Sequence, residues 1–182
     1  MKVAIDLHGT YDHDPEYFWF LIHNQMVKDD IKDIEFYILT GSPAEETIEE
    51  INKIKYKIPI TMRNQDPHME YCHKKPRIAL YLSIIDFCRE YNIPLIENGT
   101  TKSGHIRYNI DGPEELWWSL KSVICNLNEV DILIDNDLRY EKYFGHGHPT
   151  SFVWYNRNSI NATHRAIYNA MKLGVIKVPD LS

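Results

Sequence analysis

The sequence predicts one α/β domain in three layers, with a mostly parallel central sheet and helices on both faces. Three observations carry this. Four short runs, Val3-Ala4-Ile5, Phe36-Tyr37-Ile38-Leu39, Ile132-Leu133-Ile134 and Phe152-Val153-Trp154, are apolar on both alternations, as strands buried on both faces must be. Helical patterns separate the runs. The 182 residues, 43% hydrophobic and 25% charged, suffice for one domain with a substantial core and little more.

The elements follow in order. Pro15 to Val27 carries Tyr17, Phe18, Leu21, Ile22 and Val27 at helical spacing, with Asp14 as N-cap. A second helix starts at Ser42-Pro43-Ala44-Glu45. Ser42 is the expected cap, Pro43 suits the first helical position, and Glu45 and Glu46 face the positive end of the dipole. Lys75 to Tyr91 reads as one long helix with Ile78, Leu82, Ile85 and Cys88 or Arg89 on its inner side. A fourth helix runs from about Asp111-Gly112-Pro113 to Leu127, and a fifth from about Ser159 to Leu173, ended by Gly174. Ile58 to Thr61 and Pro94 to Glu97 are weaker strand candidates. Met62 to Lys74 and Asn98 to Ile110 lack either periodicity. They read as solvated connections or as a small lid within 62–110, the second stretch as a loop or hairpin over the site. Strand–helix alternation of this kind is Rossmann-like.

Charge narrows the partners. The formal net charge is -6, and an acidic surface repels nucleic-acid backbones, so no extended nucleic acid is expected. No apolar run approaches the ~20 residues that cross a bilayer. Cys72, Cys88 and Cys125 are odd in number and share no metal-ligand spacing, which favours reduced thiols over a disulfide framework. A strand pattern begins at once, without a secretory leader, so the expected location is cytoplasmic.

In open parallel sheets ligands sit beyond the carboxyl ends of the strands. Three strand ends here carry suitable polar groups: Ile5-Asp6-Leu7-His8-Gly9-Thr10, Leu39-Thr40-Gly41-Ser42, and Ile134-Asp135-Asn136-Asp137. Together they suit a divalent cation and a phosphoryl group. A phosphomonoester dianion repels an anionic nucleophile, and a cation held between carboxylates removes that repulsion. Asp6 is then the nucleophile, forming an aspartyl-phosphate. Asp135 and Asp137 complete the oxygen shell around Mg²⁺. Thr40 and the amides after it, beginning at Gly41, bind phosphoryl oxygens, and a lysine neutralises the remaining charge. Ser42-Pro43 is also a good helix start in its own right, and the two roles are compatible because both use helix N-terminal amides.

These residues resemble the haloacid dehalogenase-like hydrolase superfamily, in its Mg²⁺-dependent, nucleotidase-like branch with a small cap or none. Asp6-Leu7-His8-Gly9-Thr10 matches that family's first motif, Asp-x-Asp-Gly-Thr or a variant. Thr40 matches the second motif, and Asp135 with Asp137 the fourth. The third is a lysine before the fourth-motif strand. Lys121 and Lys102 both qualify, and Lys121 is preferred because it sits late in the preceding helix. The resemblance spans Lys2 to about Trp154 in the correct order. It implies a phosphatase acting on a small phosphorylated substrate such as a nucleotide. Asp6 and His8 would be catalytic, Thr40, Gly41 and Lys121 would hold phosphate, and Asp6, His8 (through its carbonyl), Asp135 and Asp137 would hold Mg²⁺. A small cap implies a larger substrate or a homodimer whose neighbour covers the site.

One position departs from the pattern. The family's general acid, its second aspartate, is His8 here. An imidazole exchanges protons near neutrality and can serve as that acid. Branches without the aspartate include phosphonate cleavers and ATPases. The alternatives are therefore a phosphonate or polynucleotide-end phosphatase, and a catalytically silent phosphate-binding or regulatory module. His146 and His148 read as a flexible loop, Trp117 and Trp118 as packing residues, and Tyr140, Tyr143 and Phe144 as candidates to touch substrate.

Overall fold

The computed structural model describes residues 1–24, 34–55, 78–101 and 104–176. Its strands are β1 (Lys2–Ile5), β2 (Glu35–Thr40), β3 (Ile78–Ser83), β4 (Leu95–Thr100), β5 (Ile106–Ile110), β6 (Ile132–Asp135) and β7 (Ser151–Trp154). Its α-helices are α1 (Pro15–Asn24), α2 (Ala44–Lys55), α3 (Ile84–Glu90), α4 (Glu114–Leu127) and α5 (Ile160–Ile176). Five strands form a parallel sheet in the order β3-β2-β1-β6-β7, flanked by helices on both faces: the expected α/β, Rossmann-like, three-layer arrangement.

Period-two alternation sorts the core into two halves. Val3, Ile5, Phe36, Ile38, Ile132 and Ile134 point to one face, where they meet Phe18 and Ile22 of α1, Ile51 of α2 and Ile167 of α5. Ala4, Tyr37, Leu39 and Leu133 point to the other, against Ile84 and Cys88 of α3 and Leu120, Ile124 and Cys125 of α4. Each buried Leu or Ile contributes roughly 1.5–3 kcal/mol, so both faces must be covered for the sheet to persist. Among the described residues no helix is long and apolar enough to cross a membrane.

The expected helix over Lys75–Tyr91 is corrected. Ile78–Ser83 is strand β3, paired in parallel with β2 from Phe36↔Ile78 to Thr40↔Ser83. Ile78-Ala79-Leu80-Tyr81-Leu82 is apolar on both alternations, and pairing with β2 decides its state. Ser83 then caps α3, its Oγ accepting from the Asp86 amide at 3.1 Å. Helix α2 begins at Ala44, after Pro43, and its first amide donates to Asp86 Oδ2 at 2.7 Å. Tertiary capping from α3 thus does the work expected of Ser42. Helix α5 continues through Gly174 to Ile176; a helix tolerates an internal glycine at about 1 kcal/mol. The Pro94–Glu97 candidate is a strand, but in the antiparallel hairpin β4–β5, where Leu95 pairs with Ile110. That hairpin occupies the unpatterned 98–110 stretch. Its His105 lies 3.6 Å from Glu46 in the first turn of α2, at the carboxyl-end rim of the sheet. The candidates at Ile58–Thr61 and Met62–Lys74, together with Cys72 and Lys102, fall outside the described residues.

Candidate active site

From β1 the chain builds outward through β2 and β3, and later on the opposite side through β6 and β7. The order reverses between β1 and β6, the kind of switch point beyond whose carboxyl ends open α/β sheets bind ligands. Asp6 follows β1 and Asp135 ends β6, with the Asp6 amide bonded to the Ile134 carbonyl at 2.9 Å.

Lys121, two turns into α4, reaches to this switch point. Its Nζ lies 2.6 Å from Asp6 Oδ1 and 2.7 Å from Asp135 Oδ2. The three residues are 2%, 6% and 1% exposed, for Lys121, Asp6 and Asp135 in turn. Beneath the ammonium lies the Tyr140 ring, 4.4 Å to its centroid. Burial alone would discharge Lys121, but Asp135 and Asp6 outweigh it and hold the ammonium protonated. Burial pushes Asp135 up to about 6, reinforced by the nearby Asp6 charge and opposed by Lys121.

The first loop makes a tight turn, Leu7–Tyr11, in which Gly9 adopts φ +86°, a conformation suited to glycine. It leaves Thr10 buried beneath the carboxylate. Thr10 Oγ1 donates to Asp6 Oδ2 at 3.3 Å and accepts from the Asn136 amide at 3.1 Å. The Asn136 side chain is oriented by its neighbours, donating to Thr10 Oγ1 at 3.0 Å and to the His8 carbonyl at 3.1 Å. That orientation leaves the single hydroxyl proton of Thr10 for Asp6.

Thr40 is fully buried at the end of β2, its Oγ1 accepting from the Ser42 amide at 3.3 Å. Gly41 lies against the Trp117 indole: a Cβ there would meet Trp117 Cζ2 at 3.1 Å. Trp117 stands one turn before Lys121 on α4, so one helix supplies both the buried cation and the wall beside Gly41. His8 is exposed. Its Nδ1 lies 3.4 Å from Thr40 Oγ1, and its Nε2 lies 2.8 Å from Glu50 Oε2 on α2.

The structure therefore brings Asp6, Asp135 and Lys121 together and sets Thr40 and His8 beside one another. Asp137 is engaged elsewhere: its carboxylate holds Arg139 through Nε at 2.9 Å and Nη2 at 2.5 Å, and these bonds lower its pKa. Among the described residues no three acidic, histidine or cysteine side chains converge as a metal cluster. Mg²⁺ ordinarily takes one or two carboxylates, with waters and substrate phosphate filling its shell. Asp6 and Asp135, left with net negative charge beside one lysine, fit such a donor set. Tyr140 is buried with its ring under the Lys121 ammonium, Phe144 is buried, and the Tyr143 hydroxyl bonds Glu115. His148 Nδ1 accepts from the Thr150 amide at 3.0 Å, as a loop residue would.

Sequence reasoning missed Asn136, Glu50 and Arg157. Asn136 lies between Asp135 and Asp137 in the chain, but its side chain bonds Thr10, the His8 carbonyl and Arg157, which are remote in sequence. Glu50 and Arg157 had no local signal, because their partners are remote in the chain. Comparison with protein-family models, curated proteins and solved structures found no match to this chain.

Proposed function

We propose that this protein is a Mg²⁺-dependent phosphohydrolase of the haloacid dehalogenase-like class, acting on a small phosphomonoester, a nucleotide among the candidates. One observation carries this: two carboxylates from either side of the switch point share a single buried lysine. Such a cluster is costly to bury and packs no core, which favours a catalytic role.

Asp6 attacks phosphorus, the ester P–O bond breaks, and the leaving oxygen takes a proton from His8. Water, giving up a proton to His8, then attacks phosphorus and breaks the acyl-phosphate P–O bond, releasing inorganic phosphate and restoring both Asp6 and the His8 proton. Lys121 and the amides after Thr40 stabilise charge on the phosphoryl oxygens. Asp6 and Asp135 would hold Mg²⁺, with the His8 carbonyl, and with Asp137 once released from Arg139. The cation supplies charge neutralisation between nucleophile and phosphate.

A second reading, a catalytically silent phosphate-binding module, is favoured by one contact, His8 Nε2 at 2.8 Å from Glu50 Oε2, which turns the imidazole toward α2. A screen of nucleoside monophosphates and sugar phosphates with Mg²⁺ or with EDTA separates the two. Turnover with Mg²⁺, lost by at least ~1,000-fold in a folded Asp6→Asn variant, supports the hydrolase. Phosphate binding without turnover supports the silent module. An Asp6→Asn variant with wild-type turnover would overturn the nucleophile assignment.

A further inference from the structure

We infer that Arg157 is a positioning residue that clamps the nucleophile loop to the acidic loop after β6, an inference that rests on the proposed hydrolase. Arg157 stands in the turn following β7, far along the chain from both loops. The turn is itself fixed. The Tyr155 amide donates to the Asp135 carbonyl at 2.8 Å, the Asn156 amide to Thr163 Oγ1 at 3.0 Å, and the Asn158 amide to Asn156 Oδ1 at 3.0 Å. From this turn the guanidinium crosses to the nucleophile loop. Its Nε donates to the Gly9 carbonyl at 2.9 Å, and its Nη2 donates to Asn136 Oδ1 at 3.0 Å.

The two bonds act on different loops, and Asn136 relays the second inward. Its amide nitrogen holds Thr10 Oγ1 and the His8 carbonyl, and Thr10 in turn donates to Asp6 Oδ2 at 3.3 Å. Arg157 thereby governs one of the two Asp6 oxygens without touching it, while Lys121 fixes the other. A planar guanidinium suits the task, since two donors in one rigid fork meet two acceptors at once; an ammonium is a point donor. Gly9 belongs to the same device. A Cβ at position 9 would lie 1.9 Å from Arg157 Nη2, so glycine is needed for the seating of the guanidinium as well as for φ +86°. The side chain is exposed at the rim, so its contribution is to geometry rather than to core packing.

The test uses the full chain with Arg157→Ala and Arg157→Lys, with kinetics in Mg²⁺ and amide hydrogen exchange read by mass spectrometry. For a positioning residue, kcat falls ~10- to 100-fold in both variants while KM stays within about twofold, because a small displacement of the nucleophile costs rate rather than binding. Guanidinium ion at millimolar concentration restores part of the Arg157→Ala loss, and ammonium does not. A rise in KM with kcat preserved, or wild-type kinetics, overturns the inference. Hydrogen exchange reads the clamp without activity. In Arg157→Ala the amides of residues 9–12 exchange at least ~10-fold faster while the sheet strands keep wild-type protection. Wild-type exchange in that segment overturns the clamp even where turnover is absent; absent turnover with accelerated exchange overturns the hydrolase and leaves the clamp standing.

Discussion

The Lys121 ammonium lies 2.6 Å from Asp6 and 2.7 Å from Asp135, so one buried cation joins two strands that neighbour in space but stand far apart in sequence. Two carboxylates and one ammonium leave the cluster one negative charge in excess, and burial makes each member depend on the others.

Lys121→Met keeps the volume and removes the charge. The two carboxylates are then buried without compensation, and stability falls by about 3–5 kcal/mol. Urea unfolding at neutral pH measures this. Adding Asp6→Asn and Asp135→Asn recovers most of the loss, because the orphaned charges are gone. A Lys121→Met midpoint equal to that of the wild type would show that the cluster carries no such dependence.

Gly9→Ala strains the left-handed backbone and displaces the Arg157 guanidinium. A cost of about 1–3 kcal/mol follows from the backbone alone. In a cycle with Arg157→Ala the two effects are less than additive, since both break the same contact. Thermal unfolding of the two single variants and the double variant reads the coupling; strict additivity would separate the residues.

Alkaline stability reports on Tyr140, whose hydroxyl burial pushes up to about 12. The sign follows directly. The fold favours the neutral phenol, whereas unfolded tyrosine ionises near ~10. The contribution is therefore whole below pH ~10 and is lost as pH rises from there toward 12, by about 1.4 kcal/mol per pH unit at most. Tyr140→Phe keeps the ring over Lys121 and flattens this slope. Urea midpoints at pH 9, 10 and 11 test it, and an unchanged slope would place the alkaline loss on other tyrosines.

His8→Ala should leave stability within about 0.5 kcal/mol, because the side chain is exposed. Its kinetic effect depends on the ester. A general acid is worth ~100- to 10,000-fold where the leaving oxygen is basic, and little for p-nitrophenolate. Comparison of p-nitrophenyl phosphate with an alkyl phosphate checks this, and equal slowing of both would remove His8 from the acid role.

Local pattern was enough to locate β1, β2, β6 and β7, because burial on both faces demands apolar residues on both alternations. The polar residues ending those strands then marked Asp6, Thr40 and Asp135. Lys121 was preferred over Lys102 for its place late in the helix before β6; the structure buries it on α4 with Leu120, Ile124 and Cys125. The same logic failed at Ile78–Ser83, where a short apolar run carries no information on helix against strand until β2 supplies a partner.

Sequence by itself therefore determined which segments bury which faces, since that depends on neighbours two to four residues away. Tertiary structure alone decided that Lys121 bridges carboxylates 115 and 14 positions away, and that Arg157 seats on Gly9 across 148. Those contacts are fixed by strand order and by loops meeting at one rim of the sheet. No periodicity of the chain encodes such meetings, because the groups that make them share no local backbone geometry.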